Sequence, residues 1–265
     1  MSANKDSIQR TLLVTVLLCL VCSILVAGSA VTLRDRQNQN QANDMRRSVL
    51  QAAGMYDAEK TVEEQFENIQ VRIANIEEGR FATEEELNSL KAAGFDPANF
   101  DQRKASKNPQ FSRALKGAED TASIKTLTRF SSVYVIEQNG AIDSVVLPIH
   151  GYGLWSTLYG FIALESDLNT IAGLGFYDHA ETPGLGGEVD NPTWKAKWEE
   201  KHVYNDQGDV AIRVVKGHAE EGNPYQVDGL SGATLTSVGV TNLVQFWMGD
   251  TGFGKLLSNL KQGGE

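Results

Sequence analysis

The pattern of hydrophobic and polar positions opens with one long uncharged run. Between Thr11 and Leu33 there is no Asp, Glu, Lys or Arg. As a helix this run measures roughly 34 Å, enough to cross a hydrocarbon core of about 30 Å. The pattern therefore predicts a tail over residues 1–10 and a transmembrane helix over 11–33. A cleaved signal peptide is the alternative, with Gly28–Ala30 as cleavage site, although its apolar region is usually only about 7–15 residues long.

A polar and helical segment is predicted over residues 34–130. Residues 37–47 are rich in Gln and Asn, as expected of a juxtamembrane linker. Apolar residues then recur at helical steps of four and three, at Val62, Phe66, Ile69, Ile73 and Ile76. This spacing predicts an amphipathic helix, and Thr83–Glu86 resembles a capping box that opens a second one. The pattern leaves open whether these helices pack on the domain, pack on a partner or are solvated.

The period changes to two after Ser131. Two β-rich runs flank Asn139-Gly140, a strong hairpin dipeptide, and predict an α+β domain over residues 131–255, followed by a tail over 256–265. The remaining predicted strands are Gly160–Glu165, Ile171–Asp178 and Ala211–Lys216, and the predicted helices are Trp194–Lys201 and Val240–Trp247. The fold class is thus α+β, with a single N-terminal transmembrane helix, a helical segment and an α+β domain.

The charge of the chain excludes one class of function. The net charge is -10, yet residues 1–36 carry four basic and two acidic side chains, so the rest is more acidic than the whole. An acidic domain is unsuited to nucleic acid, which is bound by neutralising phosphates with Lys and Arg. The two cysteines, Cys19 and Cys22, lie in the apolar run, so no disulfide framework is indicated. Basic residues flank the run on both sides, and their distribution does not decide its orientation.

The segment Asp228–Ser237 carries the densest chemistry of the chain. Small residues and hydroxyls lie directly before an apolar-periodic helix, at Ser231, Gly232, Ala233, Thr234 and Thr236. Glycine lets the backbone approach a ligand, and the free amides at a helix start favour phosphate. On these grounds the segment is either an anion site or an ordinary helix capped by a hydroxyl.

The sequence Asp228-x-x-Ser231-Gly232-Ala233-Thr234 resembles the flavinylation motif D-x-x-[ST]-G-A-[ST] of FMN-binding domains. Every motif position holds a permitted residue. The resemblance implies covalent FMN, esterified through its phosphate to the Thr234 hydroxyl, with the other four motif residues at the binding site. It also implies a maturation partner, a separate magnesium-dependent flavin transferase that uses FAD.

A glycine-rich cluster spans His179–Gly187 and lacks the spacing of a dinucleotide fingerprint. On its own it would be a mobile surface turn. Beside the flavin motif it resembles the E-T-P-G-x-G loop of the same family, which closes over the isoalloxazine ring. The resemblance implies polar contacts to the ring from Glu181 and Thr182, an apolar contact from Leu185, and backbone of Gly184 and Gly186 beside it.

Two further parts of the chain are similar to the family. In Gly151–Ser156 the resemblance implies that Trp155 and Ser156 lie near the flavin, although a lone tryptophan is more often in the core. Lys216 would neutralise the FMN phosphate, with a solvated surface lysine as the alternative.

The order of these features resembles the NqrC family, the flavoprotein subunits of sodium-translocating NADH:quinone reductases, over essentially the whole chain. This resemblance implies an electron-transfer subunit, without catalytic residues of its own, in a multi-subunit complex of the bacterial inner membrane that couples NADH oxidation by ubiquinone to sodium export. The FMN domain would be periplasmic. The alternatives are the flavoprotein subunit of an Rnf-type complex, which usually lacks so long a segment before the hairpin, and a non-redox module that binds a phosphate-bearing ligand or acts as a scaffold.

Overall fold

The computed structural model describes residues 8–138 and 140–263. It separates two compact units, Met1–Met45 and Arg46–Glu265, which are described individually. The helices are α1 (Ile8–Ala52), α2 (Val62–Phe66), α3 (Glu84–Ala92), α4 (Gln102–Ala105), α5 (Pro192–Lys195), α6 (Thr234–Met248) and α7 (Gly254–Lys261). The strands are β1 (Ile69–Asn75), β2 (Arg80–Phe81), β3 (Ser112–Ala114), β4 (Thr126–Thr128), β5 (Phe130–Gln138), β6 (Ala141–Tyr152), β7 (Thr157–Glu165), β8 (Ile171–Asp178), β9 (Arg213–Val214) and β10 (Gln226–Val227).

The first unit consists of most of α1. The stretch Ile8–Arg34 is long and apolar enough to cross a membrane. Beyond it, α1 continues without interruption through the predicted linker 37–47, which is therefore helical. Gln, Asn and Arg are tolerated in a helix, so a polar linker of this composition can be helical.

A six-stranded antiparallel sheet dominates the second unit, in the order β2-β1-β5-β6-β7-β8. The predicted hairpin is confirmed, since Gln138 on β5 pairs with Ala141 on β6. Gly140 has a φ of +79°, which a two-residue hairpin turn demands and which glycine adopts without a steric penalty. Asn139 lies outside the described residues.

The predicted amphipathic helix between Val62 and Ile76 is wrong over most of its length. Only α2 is helical, and β1 then pairs with β5 over seven residues, from Ile69–Ile136 to Asn75–Phe130. Ile69, Val71 and Ile73 also fit a period of two, so this run fits both the helical and the extended pattern. The segment before residue 131 therefore supplies a strand to the main sheet. The domain boundary at residue 131 stays a prediction.

Several other predicted elements are confirmed, and three need correction. The Thr83 capping box, β8 and the helix containing Val240–Trp247 are present. Ala211–Lys216 yields only β9, and Trp194–Lys201 reduces to α5 followed by a single 3-10 turn over Ala196–Trp198. The predicted tail 256–265 is mostly helix α7, which buries two leucines and so belongs to the core.

The core lies between the sheet and the helices α6 and α7. The buried side chains of α6 include Val240, Leu243, Val244 and Trp247, the stripe that the helical spacing predicts. A smaller cluster around Phe95 and Phe111 lies below α3 and includes Ile73 of β1. The last turns of α1 also contribute fully buried Val49 and Leu50 to the second unit.

Strand β1 can be tested with one apolar and one polar position. Ile73→Ala is expected to lower the free energy of unfolding by about 2–5 kcal/mol, because it removes buried methyl groups and leaves a cavity. Gln70→Ala, at an exposed position of the same strand, should change it by only about 0.5–1 kcal/mol. Urea denaturation of the full chain in detergent measures both, and equal effects would contradict the strand assignment.

Candidate functional site

The start of α6 is an uncapped helix N-terminus. Its N-cap is Ala233, and among the residues that the structure describes no side chain makes a cap hydrogen bond. The first helical bond runs from the Ser237 amide to the Ala233 carbonyl, at 3.0 Å, so the amides of Thr234, Leu235 and Thr236 lie ahead of it. The alternative of an ordinary hydroxyl-capped helix is therefore wrong. Free amides and the positive end of the helix dipole favour an anion at this place.

The hydroxyls around this helix start differ in what they bind. Thr236 is fully buried, and its Oγ1 donates to Glu181 Oε2 at 2.8 Å. Ser237 Oγ accepts from the Leu230 amide at 3.0 Å and donates to the Ala233 carbonyl at 3.1 Å. Thr234, the first helical residue, is exposed, and so is Ser231 before it. Among these hydroxyls, Thr234 combines exposure with a place inside the first turn of α6.

The carboxylate of Glu181 is the centre of the site's hydrogen bonding. Its Oε1 accepts from the amides of three consecutive residues, Leu154, Trp155 and Ser156, at 3.0, 2.9 and 3.2 Å. Its Oε2 accepts from Thr236, and the side chain is buried. One residue thereby joins the β6–β7 turn, the loop after β8 and the start of α6.

The pKa of Glu181 reflects this environment. Burial by itself raises it, but the Trp155 amide, the Thr236 hydroxyl and the amides of Leu154 and Ser156 outweigh burial and hold the pKa below its ordinary value. The carboxylate is therefore charged at neutral pH. Both oxygens are engaged by the chain itself, a role that the resemblance did not imply.

The loop after β8 reaches the motif of α6. The Thr182 carbonyl accepts from the amides of Leu185 and Gly187, at 3.1 and 2.9 Å, which folds the loop into a tight turn. Gly184 within it has a φ of +76°. A Cβ placed on Gly232 would lie 2.9 Å from Leu185 Cδ2, so the leucine rests directly on the motif glycine. The structure thus brings both predicted clusters together.

Five large apolar side chains are exposed on the parts of the chain that Glu181 joins. Trp155 is 67% exposed, Leu185 44% and Leu235 61%. The apolar rim consists of Tyr152, Trp155, Leu185, Leu235 and Val238. The alternative for Trp155, a core position, is wrong. Large apolar side chains left exposed on parts of the chain that one residue holds together are typical of a binding site.

Sequence reasoning missed three members of the rim, Tyr152, Leu235 and Val238. A signal for two of them was available, because Leu235 and Val238 are apolar and lie three residues apart, off the buried stripe of α6. Apolar residues outside the core-facing stripe of a helix indicate a second contact surface.

Ser156 has a structural partner in the loop after β8. Its hydroxyl accepts from the Ala180 amide at 2.7 Å, and its own amide donates to Glu181. Ser156 therefore fixes the first residues of this loop beside the β6–β7 turn. Thr182 and Gly184 are exposed, whereas Gly186 is buried: a Cβ on it would lie 2.6 Å from both Glu181 Oε2 and Thr236 Oγ1. Only glycine fits at this position without displacing the hydrogen bond between those atoms.

Asp228, the first motif residue, holds the loop before α6. Its carboxylate accepts from Lys197 Nζ at 2.5 Å and from the Ala219 amide at 2.7 Å, and it lies 3.1 Å from His218 Nδ1. Its carbonyl accepts from Trp194 Nε1 at 2.8 Å. Burial raises the pKa of this carboxyl, but the hydrogen bonds from Lys197, Ala219 and His218 dominate and hold it well below its usual range.

Lys216 lies on the segment that runs beside the motif. The Gly229 amide donates to the Gly217 carbonyl at 2.8 Å, which fixes this segment next to the loop that Asp228 holds. The Lys216 side chain is exposed. It is therefore a cation near the motif, on the side of the loop that precedes α6.

Known proteins resemble this chain over nearly its whole length. Residues 153–249, which contain β7, β8, the glycine-rich loop and α6, match the family model of the FMN-binding domain. The NqrC subunit of the Na(+)-translocating NADH-quinone reductase of Pseudomonas aeruginosa is 48% identical, over 98% of this chain and 99% of that protein. The chain belongs to the NqrC family. The NqrC subunit of Vibrio campbellii is 44% identical, over 100% of this chain and 99% of that protein.

A solved structure agrees with this membership. The crystal structure of Shewanella oneidensis NqrC matches with a TM-score of 0.75 and 34% identity, over 84% of this chain and 99% of that chain. The NqrC family is part of an oxidoreductase complex, and membership decides between the sodium pump and the Rnf-type alternative. The mixed helix and strand fold with one apolar N-terminal helix is confirmed as well.

The Glu181 carboxylate can be tested through its charge. Since its folded pKa is depressed, its contribution to stability is present above the ordinary pKa of 4.5 and is lost as the pH falls through the folded value. Glu181→Gln retains an acceptor for the amides but no charge, so its free energy of unfolding should fall less on acidification below pH 4.5 than that of the parent chain. Glu181→Ala should be destabilised at neutral pH by about 3 kcal/mol or more, because four donors lose their acceptor.

Denaturant titrations at several pH values measure all three chains. Parallel pH profiles of the parent and Glu181→Gln would show that the carboxylate charge contributes nothing to folding.

Proposed function

We propose that this chain carries FMN as a phosphoester on the hydroxyl oxygen of Thr234. The single observation that supports it most is the difference between the two threonines of the motif: Thr234 is exposed, whereas Thr236 is buried and donates to Glu181. A nucleophilic hydroxyl must be accessible to the transferase that modifies it. In the reaction, the Thr234 oxygen bonds to the flavin phosphate of FAD, AMP leaves and the threonine proton is released.

The residues around Thr234 fit a flavin mononucleotide. The free amides at the start of α6 suit the phosphate, with Ser231, Gly232 and Ala233 as the backbone that approaches it and Lys216 as a nearby cation. A Cβ at Gly232, whose φ is +71°, would be strained and crowded by Leu185. Such a polar anion-binding site beside apolar side chains suits a phosphate group joined to a large aromatic ring.

The apolar rim is the proposed seat of the isoalloxazine ring. Trp155 and Leu185 offer exposed apolar surface, Leu185 lies against Gly232, and Thr182, Gly184 and Gly186 shape the loop that carries Leu185. Glu181, Ser156 and Asp228 serve the cofactor indirectly, by holding the turns and loops from which these contacts are made. Bound FMN supplies the redox chemistry by accepting and donating electrons, and the protein supplies position and electrostatics.

In this proposal the chain acts as an electron-transfer subunit rather than as a complete enzyme. Its relatives along nearly the whole length are named as one subunit of a complex that translocates Na+ and reduces quinone with NADH. We infer that this chain assembles with the other subunits of such a complex. It contributes one FMN to the coupling of NADH oxidation by ubiquinone to sodium export. A flavin transferase attaches the FMN to the chain.

We also propose a single-pass location in the bacterial inner membrane with the FMN-binding domain in the periplasm. One helix of suitable length and the membership in the NqrC family support the anchor. The basic residues on both sides of the span favour neither orientation, so the periplasmic side is inferred from the family alone.

Thr234 can be tested by matched hydroxyl variants produced together with a flavin transferase. Thr234→Ala should lose covalent flavin completely, and Thr234→Ser should retain it because the hydroxyl remains. Thr236→Ala should keep the flavin but lower the free energy of unfolding by about 1–3 kcal/mol, since a buried Glu181 oxygen loses its donor. Flavin fluorescence on denaturing gels, with intact mass, measures attachment.

Two outcomes would overturn the proposed attachment. Flavin retained by Thr234→Ala would exclude Thr234 as the acceptor. Absence of any adduct on the parent chain would favour a non-redox module that binds a phosphate-bearing ligand or acts as a scaffold.

Orientation can be tested with one new cysteine. Lys107 is exposed on the second unit, so Lys107→Cys in a chain whose Cys19 and Cys22 are replaced by alanine gives a single reactive thiol. In spheroplasts, a membrane-impermeant maleimide should label it without lysis, and the chain without Lys107→Cys should stay unlabelled. Labelling only after lysis would contradict a periplasmic domain.

A further inference from the structure

His179 lies where the loop after β8 leaves the sheet. Its imidazole is largely buried, with a side-chain exposure of 11%. Nε2 lies 2.8 Å from Asp190 Oδ2, and Nδ1 accepts from the Glu181 amide at 3.2 Å. The ring therefore bonds to both ends of the loop. At the start of the loop it accepts from the Glu181 amide, and at the end it lies beside Asp190, in the 3-10 turn that closes the loop.

These two bonds specify one protonation state. An amide N–H can only donate, so Nδ1 must carry a lone pair, and Nε2 must then carry the proton that it donates to Asp190. A doubly protonated ring would set an Nδ1–H against the Glu181 N–H. The bond to Asp190 would persist and gain charge, whereas the bond to Glu181 would be lost.

The Glu181 backbone is the point from which the site is organised. Its side chain collects three amides of the β6–β7 turn and the Thr236 hydroxyl, and these bonds require its backbone to stay in place. On its amide side, the partner in the structure is His179. A shift of this amide would move the carboxylate. Through the loop it would also move Leu185, which lies against Gly232.

We propose that neutral His179 is a positioning residue of the flavin site, which fixes the backbone of Glu181 through Nδ1 while Asp190 fixes the ring through Nε2. Protonation of the ring releases the Glu181 amide and loosens the loop that carries Leu185. The ligand of this loop rests on the function proposed above, but the hydrogen bonds themselves can be tested in the chain without flavin.

The charges around His179 favour the protonated ring. The hydrogen bond to Asp190 raises the pKa of His179 above its ordinary 6.5, burial opposes the rise, and the charges of Asp190, Glu181 and Asp178 add to it. Asp178, at the end of β8, is itself paired with Arg103 of α4 at 2.6 Å. The stability gained from the pair with Asp190 is thus present below pH 6.5 and is lost as the pH rises through the folded pKa of His179. The bond to the Glu181 amide has the opposite dependence, because it forms as the ring loses its proton.

The first test is the tautomer of His179 in the flavin-free full chain in detergent. Two-bond proton–nitrogen NMR correlations distinguish the two neutral tautomers and the charged ring, and the signal is assigned by its absence in His179→Asn. The expected result is the Nε2–H tautomer at about pH 8.5, which converts to the charged ring as the pH falls. An Nδ1–H tautomer under the same alkaline conditions would overturn the proposal whether or not FMN is attached.

The second test is hydrogen exchange at the Glu181 amide, with variants that separate the two bonds. His179→Asn can present an acceptor near the Nδ1 position but does not titrate, and His179→Gln can present a donor near the Nε2 position without the acceptor. In the parent chain, protection of this amide should fall by about two- to tenfold as the ring is protonated. His179→Asn should remove this pH-dependent fall in protection, the step. His179→Gln should lack the protection at every pH. Asp190→Asn should move the step to lower pH.

His202→Asn removes another histidine at a distance from the loop and should leave the step unchanged. Circular dichroism of each variant verifies that it folds.

In the flavin-loaded chain, the visible circular dichroism of the flavin should show the same step, absent from His179→Asn. A step that persists in His179→Asn, or exchange at Glu181 that is independent of pH in the parent chain, would contradict the proposal. Failure of flavin loading alone would contradict only the proposed attachment, because tautomer and exchange are measured without flavin.

Discussion

The site depends on one buried carboxylate that is fully used by the chain itself. Glu181 accepts three amides from the β6–β7 turn and one hydroxyl from the start of α6. A buried charge is tolerated only when donors surround it, and here the donors lie 25–55 residues from Glu181 in the sequence, on both sides of it. Loss of the carboxylate would leave the β6–β7 turn, the loop after β8 and the start of α6 without this common attachment.

Close packing around this carboxylate explains why small residues are required beside it. A Cβ on Gly153 would lie 2.7 Å from Glu181 Oε1, and one on Gly186 would lie 2.6 Å from Oε2. The same packing separates two chemically identical side chains. Thr236 donates its hydroxyl to Glu181 inside the core, whereas Thr234, two residues earlier, faces solvent at the uncapped end of the helix dipole. In the proposed attachment, the choice of Thr234 over Thr236 thus follows from how Glu181 holds Thr236.

The sequence predicted local features better than distant contacts. The hairpin around Gly140, strand β8, helix α6 and the flavin motif all depend on short-range patterns, and each is present. Strand β1 was missed because its isoleucines satisfy helical and extended periods alike, and its pairing with β5 decides the outcome. The partners of Glu181, Asp228 and His179 could not be read from the sequence, since each is selected by the folded backbone.

The position of the flavin within the peptide that holds both threonines would distinguish them directly. The chain is produced with a flavin transferase, digested, and the flavin-bearing peptide is fragmented in a mass spectrometer. We expect one adduct of FMN less one water, on Thr234 and on no other residue. An adduct on Thr236, whose hydroxyl the structure assigns to Glu181, would contradict this assignment.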